Sequence, residues 1–230
     1  MEEKKKLLFY EGLDQVVSSH EKEKSLEEEK KQNLLNPRIM TKIPALDVLL
    51  EGLRIGTINI VSGPTGEGKT TFLQSLTRNF SEQKLCSLWF SFEVRPLQFF
   101  SKFGETVPFF TLPNQIPEKS DIAWIRRRIL EAQAKFDVKI VFIDHLHYMA
   151  EMQGLSTNDK SSLIIGDIMR RLRYICGELG VITFLIAHIK GDAWGNKYVI
   201  EKTYFTKDDI RDSSFVKQEA DSVMMIWRKK

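Results

Sequence analysis

The amino-acid sequence predicts an α/β fold, in which a mostly parallel, twisted sheet is flanked by helices. Three observations lead to it. Short apolar runs alternate with segments of helical periodicity, a glycine-rich loop joins one predicted strand to the following helix, and residues 140–143 form an uninterrupted apolar run. Such a run suits a strand buried on both faces of a parallel sheet. A chain of 230 residues, 42% of them hydrophobic, is long enough for one domain with a substantial core.

The expected elements alternate along the chain. Strands are predicted at residues 57–62, 87–92, 140–143, 181–187 and 223–227. Helices are predicted where apolar residues return every three or four positions. These residues are Phe72, Leu73, Leu76 and Phe80 in the first helix, Ile122, Ile125, Ile129 and Leu130 in the second, and Ile164, Ile165, Ile168, Leu172, Ile175 and Leu179 in the third. Gly180 closes the third helix, and right-handed crossovers are expected to join the strands.

The first 40 residues differ from the rest in composition. Lysine and glutamate dominate residues 2–32, where the sparse apolar positions are Leu13, Val16, Val17 and Leu26. This pattern indicates either an exposed helix or linker that docks on a neighbour, or a solvated tail. Pro37 marks a break, and a folded domain is expected at residues 41–230.

Composition excludes several classes of protein. Cys86 and Cys176 lie in apolar surroundings without metal-ligand spacing, so we expect buried core cysteines and neither a disulfide framework nor a zinc site. No apolar stretch approaches the ~18 residues that a membrane helix needs, and the first residues do not form a secretory signal. The net charge of +3 neither requires nor excludes a nucleic-acid partner.

A phosphate-binding loop carries the strongest chemical signal. Residues 63–70 match the pattern G-x-x-x-x-G-K-[ST], in which glycines let backbone N–H groups face a polyphosphate at the start of the next helix. The predicted nucleotide-binding residues are Gly63, Pro64, Thr65, Gly66, Glu67, Gly68, Lys69, Thr70 and Thr71. Lys69 is expected to bridge the β- and γ-phosphates, and Thr70 to offer its hydroxyl to Mg²⁺. ATP and Mg²⁺ are therefore the expected ligands.

Acidic and imidazole side chains follow three further strands. Asp144 comes directly after the apolar run and is predicted to bind Mg²⁺ together with the threonine hydroxyl. Glu93 follows the second strand and is a candidate for the group that activates water. His188 follows the fourth strand and is either a sensor of the γ-phosphate or a structural histidine. His145 and His147 closely follow Asp144 and are interpreted as residues of the site rim or of the packing, and not as a transition-metal site, since no further metal ligand is expected near them.

A polar stretch between His188 and Phe215 is the candidate nucleic-acid site. Its basic residues are Lys190, Lys197, Lys202, Lys207 and Arg211, and its aromatic residues are Trp194, Tyr198, Tyr204 and Phe205. Basic side chains at the carboxyl end of the sheet would contact a phosphate backbone, while the rings would either stack on bases or pack on the domain surface. Residues 151–162 are interpreted as a second loop, mostly uncharged or acidic, and are a weaker candidate.

Residues 43–227 resemble the DnaB-like hexameric replicative helicases, because they contain five sequence motifs in the order in which that family has them. In this chain they are GPTGEGKTT, SFEV with Glu93, IVFIDHLHYM with Asp144, IAHIK with His188, and DIRDSSFVKQEADSVMMIW with Arg211, Gln218 and Asp221. Leu46-Asp47 and Gly52-Leu53 match as well. The histidine of IAHIK makes the chain more similar to the mitochondrial Twinkle helicase and the phage primase-helicases than to the bacterial proteins.

The resemblance implies a RecA-like ATPase motor at residues 41–230, working as a hexameric ring on single-stranded DNA. It assigns the hydrolytic base to Glu93, the γ-phosphate sensor to His188, and the coupling of that sensor to the DNA-binding loops to Gln218. Residues 1–40 would then form a linker helix that docks on the next subunit. Primase and loader proteins are candidate partners. The candidate locations are the cytoplasm with its nucleoid, the cytoplasm of a phage-infected host, and mitochondria.

The chain departs from the family pattern in two respects. The family's arginine finger comes from a strand beyond the last motif, whereas this sequence stops at Lys230, and Arg228 lies too close to the motif to be assigned that role. The usual carboxyl-terminal strands are thus expected to be absent. No primase or helical domain precedes the motor in this sequence, so it is expected to be either a fragment of a longer protein or a reduced member of the family. Two other interpretations stay open: a RecA-fold ATPase of recombination or signalling, of the RadA or KaiC type, and a nucleotide-binding assembly subunit with weak turnover.

Overall fold

A computed structural model of the chain describes residues 15–35, 38–118, 121–152, 161–190, 204–211 and 213–228. The chain divides into two units, Met1–Arg38 and Ile39–Lys230. In the first unit, Ser19–Leu35 forms helix α1. The Ser18 hydroxyl accepts a hydrogen bond from the Glu21 N–H (3.2 Å), and the Glu21 carboxylate accepts one from the Ser18 N–H (2.8 Å). This reciprocal pair is a capping box that starts the helix, and the side chains described along it are exposed.

The second unit is built around a five-stranded parallel sheet. Its strands are β1 (Ile58–Ser62), β2 (Ser87–Ser91), β3 (Ile140–Asp144), β4 (Ile182–Ala187) and β5 (Ser222–Met225), in the spatial order β2-β3-β4-β1-β5. The register pairs Ser62 with Ala187 and Ser91 with Asp144. The carboxyl ends of these strands therefore meet at one edge of the sheet. The predicted parallel α/β sheet is confirmed, and all five predicted strands are present within one or two residues of their expected bounds.

Helices connect the strands in the expected alternation. They are α2 (Pro44–Leu50), α3 (Lys69–Glu82), α4 (Pro96–Ser101), α5 (Ile122–Phe136), α6 (Leu146–Met152), α7 (Ser161–Leu179) and α8 (Ser213–Glu219), with a 3-10 turn at Lys207–Asp209. The three long helices, α3, α5 and α7, are confirmed, and Gly180 follows α7 with a φ of 60°. Within the described residues, no helix combines the length and apolar character needed to cross a membrane.

Two details of the sequence-based prediction are wrong. Leu130 is 38% exposed, because it follows the buried Ile129 and points about 100° further round α5. Residues 151–162, interpreted as a loop, are occupied at both ends by helix, since α6 extends to Met152 and α7 begins at Ser161. Residues 153–160 lie outside the described part.

Strand side chains alternate between the two faces of the sheet, and each face has its own apolar cluster. One face presents Ile58, Ile60, Leu88, Phe90, Val141 and Ile143 to α5 and α7. The opposite face presents Val61, Trp89, Ile140, Phe142, Phe184 and Ile186 to α3 and α4. Cys86 and Cys176 are buried free thiols, as expected. The two clusters pack the sheet between two layers of helices, and this packing fixes the positions of the residues at its carboxyl edge.

Phe142 lies at the centre of the second cluster, and its removal should cost much of the stability of the domain. Its ring stacks on Trp89 (centroids 4.7 Å apart) and Phe184 (5.3 Å), and it is fully buried. We expect Phe142→Ala to lower the free energy of unfolding by about 3–5 kcal/mol, measured by urea denaturation. Phe109 is 61% exposed, so the matched Phe109→Ala change should cost less than about 1 kcal/mol. Equal losses from the two changes would contradict this account of the core.

Candidate active site

The loop of residues 63–68 joins β1 to α3 with the backbone geometry of a phosphate cradle. Gly63, Gly66 and Gly68 have φ angles of 146°, 80° and 100°, which glycine adopts without strain from a side chain. Helix α3 begins at Lys69, and Gly68 provides no side-chain cap. The N–H groups of the first helical turn are thus available to a ligand, and the helix dipole favours an anion there.

Lys69 is buried against the loop that contains it. Its ammonium donates hydrogen bonds to the carbonyl oxygens of Gly63 (2.8 Å) and Pro64 (2.9 Å). A cation is therefore held at the mouth of the cradle, where it adds to the positive field of the backbone N–H groups. This is the position that a lysine needs in order to reach a polyphosphate.

Asp144 and Thr70 form a pair suited to a hard cation. Asp144 ends β3, is fully buried, and accepts a hydrogen bond from the Thr70 hydroxyl (2.7 Å, Oγ1 to Oδ2). Burial raises the pKa of Asp144 to about 6, although the bond from Thr70 opposes the shift. Its second oxygen, Oδ1, is buried and has no hydrogen-bond partner among the described residues. A hydroxyl and an unsatisfied carboxylate oxygen fit Mg²⁺, which prefers oxygen ligands.

One cavity of about 320 Å³ collects most of the residues predicted for the nucleotide site. Those that line it are Thr65, Gly66, Gly68, Lys69, Thr70, Thr71, Glu93, Asp144 and His188. Gly63, Pro64 and Glu67 belong to the same loop but are not among its described lining residues. Gln98 and Lys102, on or just after α4, also line the cavity. The sequence does not predict their place in the site, because α4 is short and no motif marks its position beside the loop.

Glu93, His145 and His188 form a cluster at the same edge of the sheet. Glu93 is 47% exposed, and its Oε2 lies 4.0 Å from His145 Nε2. The rings of His145 and His188 are 4.2 Å apart between centroids. One potential ligand atom from each of the three residues lies within 4.8 Å of the others. The expectation that no further metal ligand lies near His145 is therefore wrong, because parallel pairing brings the ends of β2, β3 and β4 together.

The two histidines that follow Asp144 are neutral at pH 7. Burial lowers the pKa of His145 to about 3, and the electrostatic effects of His188, His147, Lys69 and Arg211 add to the shift. Burial likewise lowers the pKa of His147 to about 3. A neutral imidazole has one N–H donor and one lone pair, so each ring can donate or accept at this edge. His145 follows Asp144 through a cis peptide bond.

Gln218 and the described basic residues of the polar stretch after His188 are not among the residues that line the cavity. Gln218 is exposed on α8 and is not among the described lining residues. The Lys190 ammonium donates to the carbonyl oxygen of Asp208 (2.9 Å), and Lys207 is exposed on the 3-10 turn. The Arg211 N–H donates to the carbonyl oxygen of His188 (2.8 Å). These hydrogen bonds hold the two ends of the stretch that follows His188 next to each other.

The aromatic residues of this stretch differ from one another. Phe205 is only 6% exposed, and its ring lies 6.1 Å from that of Trp227, so it packs in the domain. Tyr204 is 63% exposed. The remaining candidates, Lys197, Lys202, Trp194 and Tyr198, lie outside the described residues.

Comparison with known proteins identifies the family. Residues 110–230 match the DnaB-like helicase C terminal domain. The chain belongs to that family. One solved structure, described as an ATPase domain, is similar in fold, with a TM-score of 0.70 and 16% identity over 93% of this chain and 84% of that chain. A structure of a DnaB-like replicative helicase and its interactions with primase gives a TM-score of 0.69 and 17% identity, over 94% of this chain and 58% of that chain. The expected family resemblance and RecA-like fold are both confirmed.

Arg228 contacts the phosphate-binding loop of its own DnaB-like domain. Its side chain donates to the carbonyl oxygen of Gly66 (2.6 Å) and lies 3.3 Å from the Glu67 carboxylate, while its backbone N–H also donates to Glu67 (2.8 Å). The sequence alone predicts no role for Arg228. The structure shows that it connects the segment after β5 to the tip of the loop.

The substitution Gly63→Ala should disrupt the loop where it passes the end of β5. A Cβ at Gly63 would lie 1.9 Å from the backbone carbonyl oxygen of Ile226, so the loop or the strand has to move. We expect at least a roughly 10-fold loss of nucleotide affinity together with a lower unfolding temperature.

Gly66→Ala provides the comparison for this change. Its φ of 80° also disfavours a side chain, but nothing lies within 4 Å of the added Cβ. It should therefore cost only the backbone penalty of about 1–2 kcal/mol. Fluorescent-nucleotide titration and thermal unfolding report both quantities. A Gly63→Ala protein that binds and unfolds like Gly66→Ala would show that the contact with residue 226 does not constrain the loop.

Proposed function

We propose that this DnaB-like domain is the motor of a replicative DNA helicase, which hydrolyses ATP to move along single-stranded DNA and separate duplex. The observation that supports it is the convergence of the phosphate-binding loop with Glu93, Asp144 and His188 on one cavity. These three residues come from the ends of three different strands. A phosphate cradle, a buried acid for a cation and a more exposed carboxylate are the parts that phosphoryl transfer to water requires.

Nucleotide binding begins with the loop and the start of α3. Backbone N–H groups donate to the phosphate oxygens, and Lys69 turns from its carbonyl partners, Gly63 and Pro64, to the β- and γ-phosphates. Thr70 and Asp144 hold Mg²⁺, which supplies positive charge against the phosphates when it is bound. The unsatisfied Oδ1 of Asp144 supports this assignment, since a buried carboxylate without a cation is costly.

Hydrolysis is assigned to Glu93. Its carboxylate accepts a proton from the attacking water, whose oxygen forms a bond to the γ-phosphorus as the bond to the bridging oxygen of ADP breaks. The 47% exposure of the side chain leaves room for that water. His188 lines the same cavity and donates a hydrogen bond to a γ-phosphate oxygen, so it detects when phosphate has left.

The link from the nucleotide to DNA runs through the backbone beside His188. The Arg211 N–H binds the His188 carbonyl oxygen, and Ile189 pairs with Ile210. A movement of His188 therefore shifts both ends of the basic stretch that contains Lys190 and Lys207. We assign DNA contact to this stretch, including Lys197, Lys202 and Arg211, and the coupling role to Gln218.

The remaining assignments rest on family membership. We propose a hexameric ring around single-stranded DNA, with the α1 segment as the linker that docks on a neighbouring subunit, and with primase or a loader as partners. A RecA-fold ATPase of the RadA or KaiC type is the alternative that shares this cavity. It differs from a helicase in that it does not unwind duplex. A nucleotide-binding assembly subunit is the other alternative, and it differs from a helicase in that DNA does not stimulate its turnover.

Glu93→Gln tests the hydrolytic assignment. An amide has the same shape as the carboxylate but cannot take a proton, so steady-state ATP turnover should fall by at least about 100-fold while nucleotide affinity stays close to that of the unchanged protein. Glu82→Gln makes the same chemical change at an exposed position of α3 and should leave turnover unaffected. Retained turnover in Glu93→Gln would remove this residue from the reaction.

Single-stranded DNA should stimulate ATP turnover, and Lys207 should contribute to the affinity for DNA. Loss of one phosphate contact in Lys207→Ala should weaken binding and lower the slope of log affinity against log salt by about 0.7. Lys84→Ala is the matched control, because Lys84 is exposed but lies just before β2, at the amino edge of the sheet. Equal effects of the two changes would contradict the assignment, and turnover that ignores DNA would favour the assembly subunit.

A further inference from the structure

Two imidazoles and one carboxylate meet beside the nucleotide cavity, where the ends of three strands come together. Glu93 Oε2 lies 4.0 Å from His145 Nε2, and the His188 ring lies 4.2 Å from the His145 ring between centroids. A ligand atom from each of the three lies within 4.8 Å of the others. The sequence holds four histidines and two cysteines, all in the described part of the chain, and within that part this is the one cluster of metal-ligand type.

The donor set has a definite preference among cations. Two histidines and one carboxylate, with a fourth position open, is a ligand set of catalytic zinc sites. Imidazole suits Zn²⁺ and similar borderline metals, whereas Mg²⁺ selects oxygen ligands. The neighbouring pair of Thr70 and Asp144 offers only oxygen. The same edge of the sheet thus presents two adjacent sets of potential metal ligands with different chemistry.

The three ligand atoms have to move closer together to bind zinc. Zinc bonds of about 2.0–2.1 Å place the ligand atoms of a tetrahedral site about 3.3 Å apart, so the three side chains have to approach by roughly 1 Å. The Glu93 side chain can move toward the others, since it is 47% exposed. The His145 side chain is only 12% exposed, so its position is fixed by packing.

We propose that Glu93, His145 and His188 form a binding site for Zn²⁺, and that its occupation stops hydrolysis without displacing the nucleotide. Binding follows from the geometry alone. Inhibition rests on the proposed function, because a bound ion withdraws Glu93 from water and His188 from the γ-phosphate. The loop that holds the phosphates keeps its own contacts, and Lys69 and Thr70 are not ligands of the ion.

The affinity should be moderate. Metal-ligating histidines commonly donate their second ring N–H to a partner, which strengthens the site. His145 Nδ1 is buried and finds no partner among the described residues. The site should therefore fill at micromolar zinc, more weakly than a structural zinc site.

Zinc binding is measured without nucleotide, on the full chain lacking any histidine tag, by competition with a chromophoric chelator. We expect one ion per chain, retained in excess Mg²⁺, and the visible absorption of tetrahedral Co²⁺ when cobalt is used as a probe. His145→Gln and His188→Gln should each weaken zinc binding by at least about 10-fold. Loss of a group that only hydrogen-bonds to a metal ligand already costs about that much, and loss of a ligand should cost no less. His20→Gln, on the exposed α1, is the matched control and should bind as before.

The proposed site would be wrong if both His145→Gln and His188→Gln bind zinc as before. It would also be wrong if the unchanged protein binds no zinc. Circular dichroism on each variant separates loss of a ligand from loss of the fold. Retained secondary structure with lost binding is the outcome expected of a ligand.

Turnover measurements test the inhibition separately. Zinc should lower kcat for ATP without raising KM, at the concentrations that fill the site, and the residual turnover of His145→Gln should no longer respond to it. If zinc binds at Glu93, His145 and His188 but kcat does not change, the proposed inhibition is refuted and the proposed zinc site is not. Absence of turnover under all conditions, with zinc bound, would count against the proposed function and not against the zinc site.

Discussion

Parallel pairing along β2, β3, β4 and β1 is the constraint on which the site depends, because parallel strands present all their carboxyl ends at one edge of the sheet. Ser91 pairs with Asp144, and Ser62 with Ala187, so the residues that follow these strands arrive within a few ångströms of one another. Residues far apart in sequence thereby share one cavity. A slip of one residue in any pairing would turn a site residue to the opposite face and break the cluster.

Burial then sets the charge of each group. Apolar clusters lie on both faces of the sheet, so Asp144 ends a strand that water does not reach, and the pKa of its carboxyl is raised. The same burial keeps His145 neutral. Glu93 is different because it lies in the turn beyond β2, where about half of its side chain meets solvent. One edge of the sheet therefore contains a buried acid suited to a cation and an exposed acid suited to water, and this division supports the proposed ATPase.

The fold was largely predictable because its signals are local. The apolar run of residues 140–143, the helical spacing through Leu172 and the glycine after α7 each report on a short stretch of chain. The shorter helices escaped prediction, since α4 and α6 are too brief to show a period and form where tertiary packing allows them. Leu130 shows a related limit, because one position on a helix separates a buried side chain from an exposed one.

For the site, the sequence by itself determined the phosphate-binding loop and the strand-end positions of Glu93, Asp144 and His188, since a motif and a strand boundary are properties of neighbouring residues. Only the tertiary structure decided that Gln98 and Lys102 line the cavity, that Arg228 reaches the loop tip, and that Glu93 and His188 surround His145. The physical reason is the order of the strands. Spatial neighbours here are set by pairing between β2, β3 and β4 and by the crossovers that carry the chain between them, and no local pattern encodes those distances.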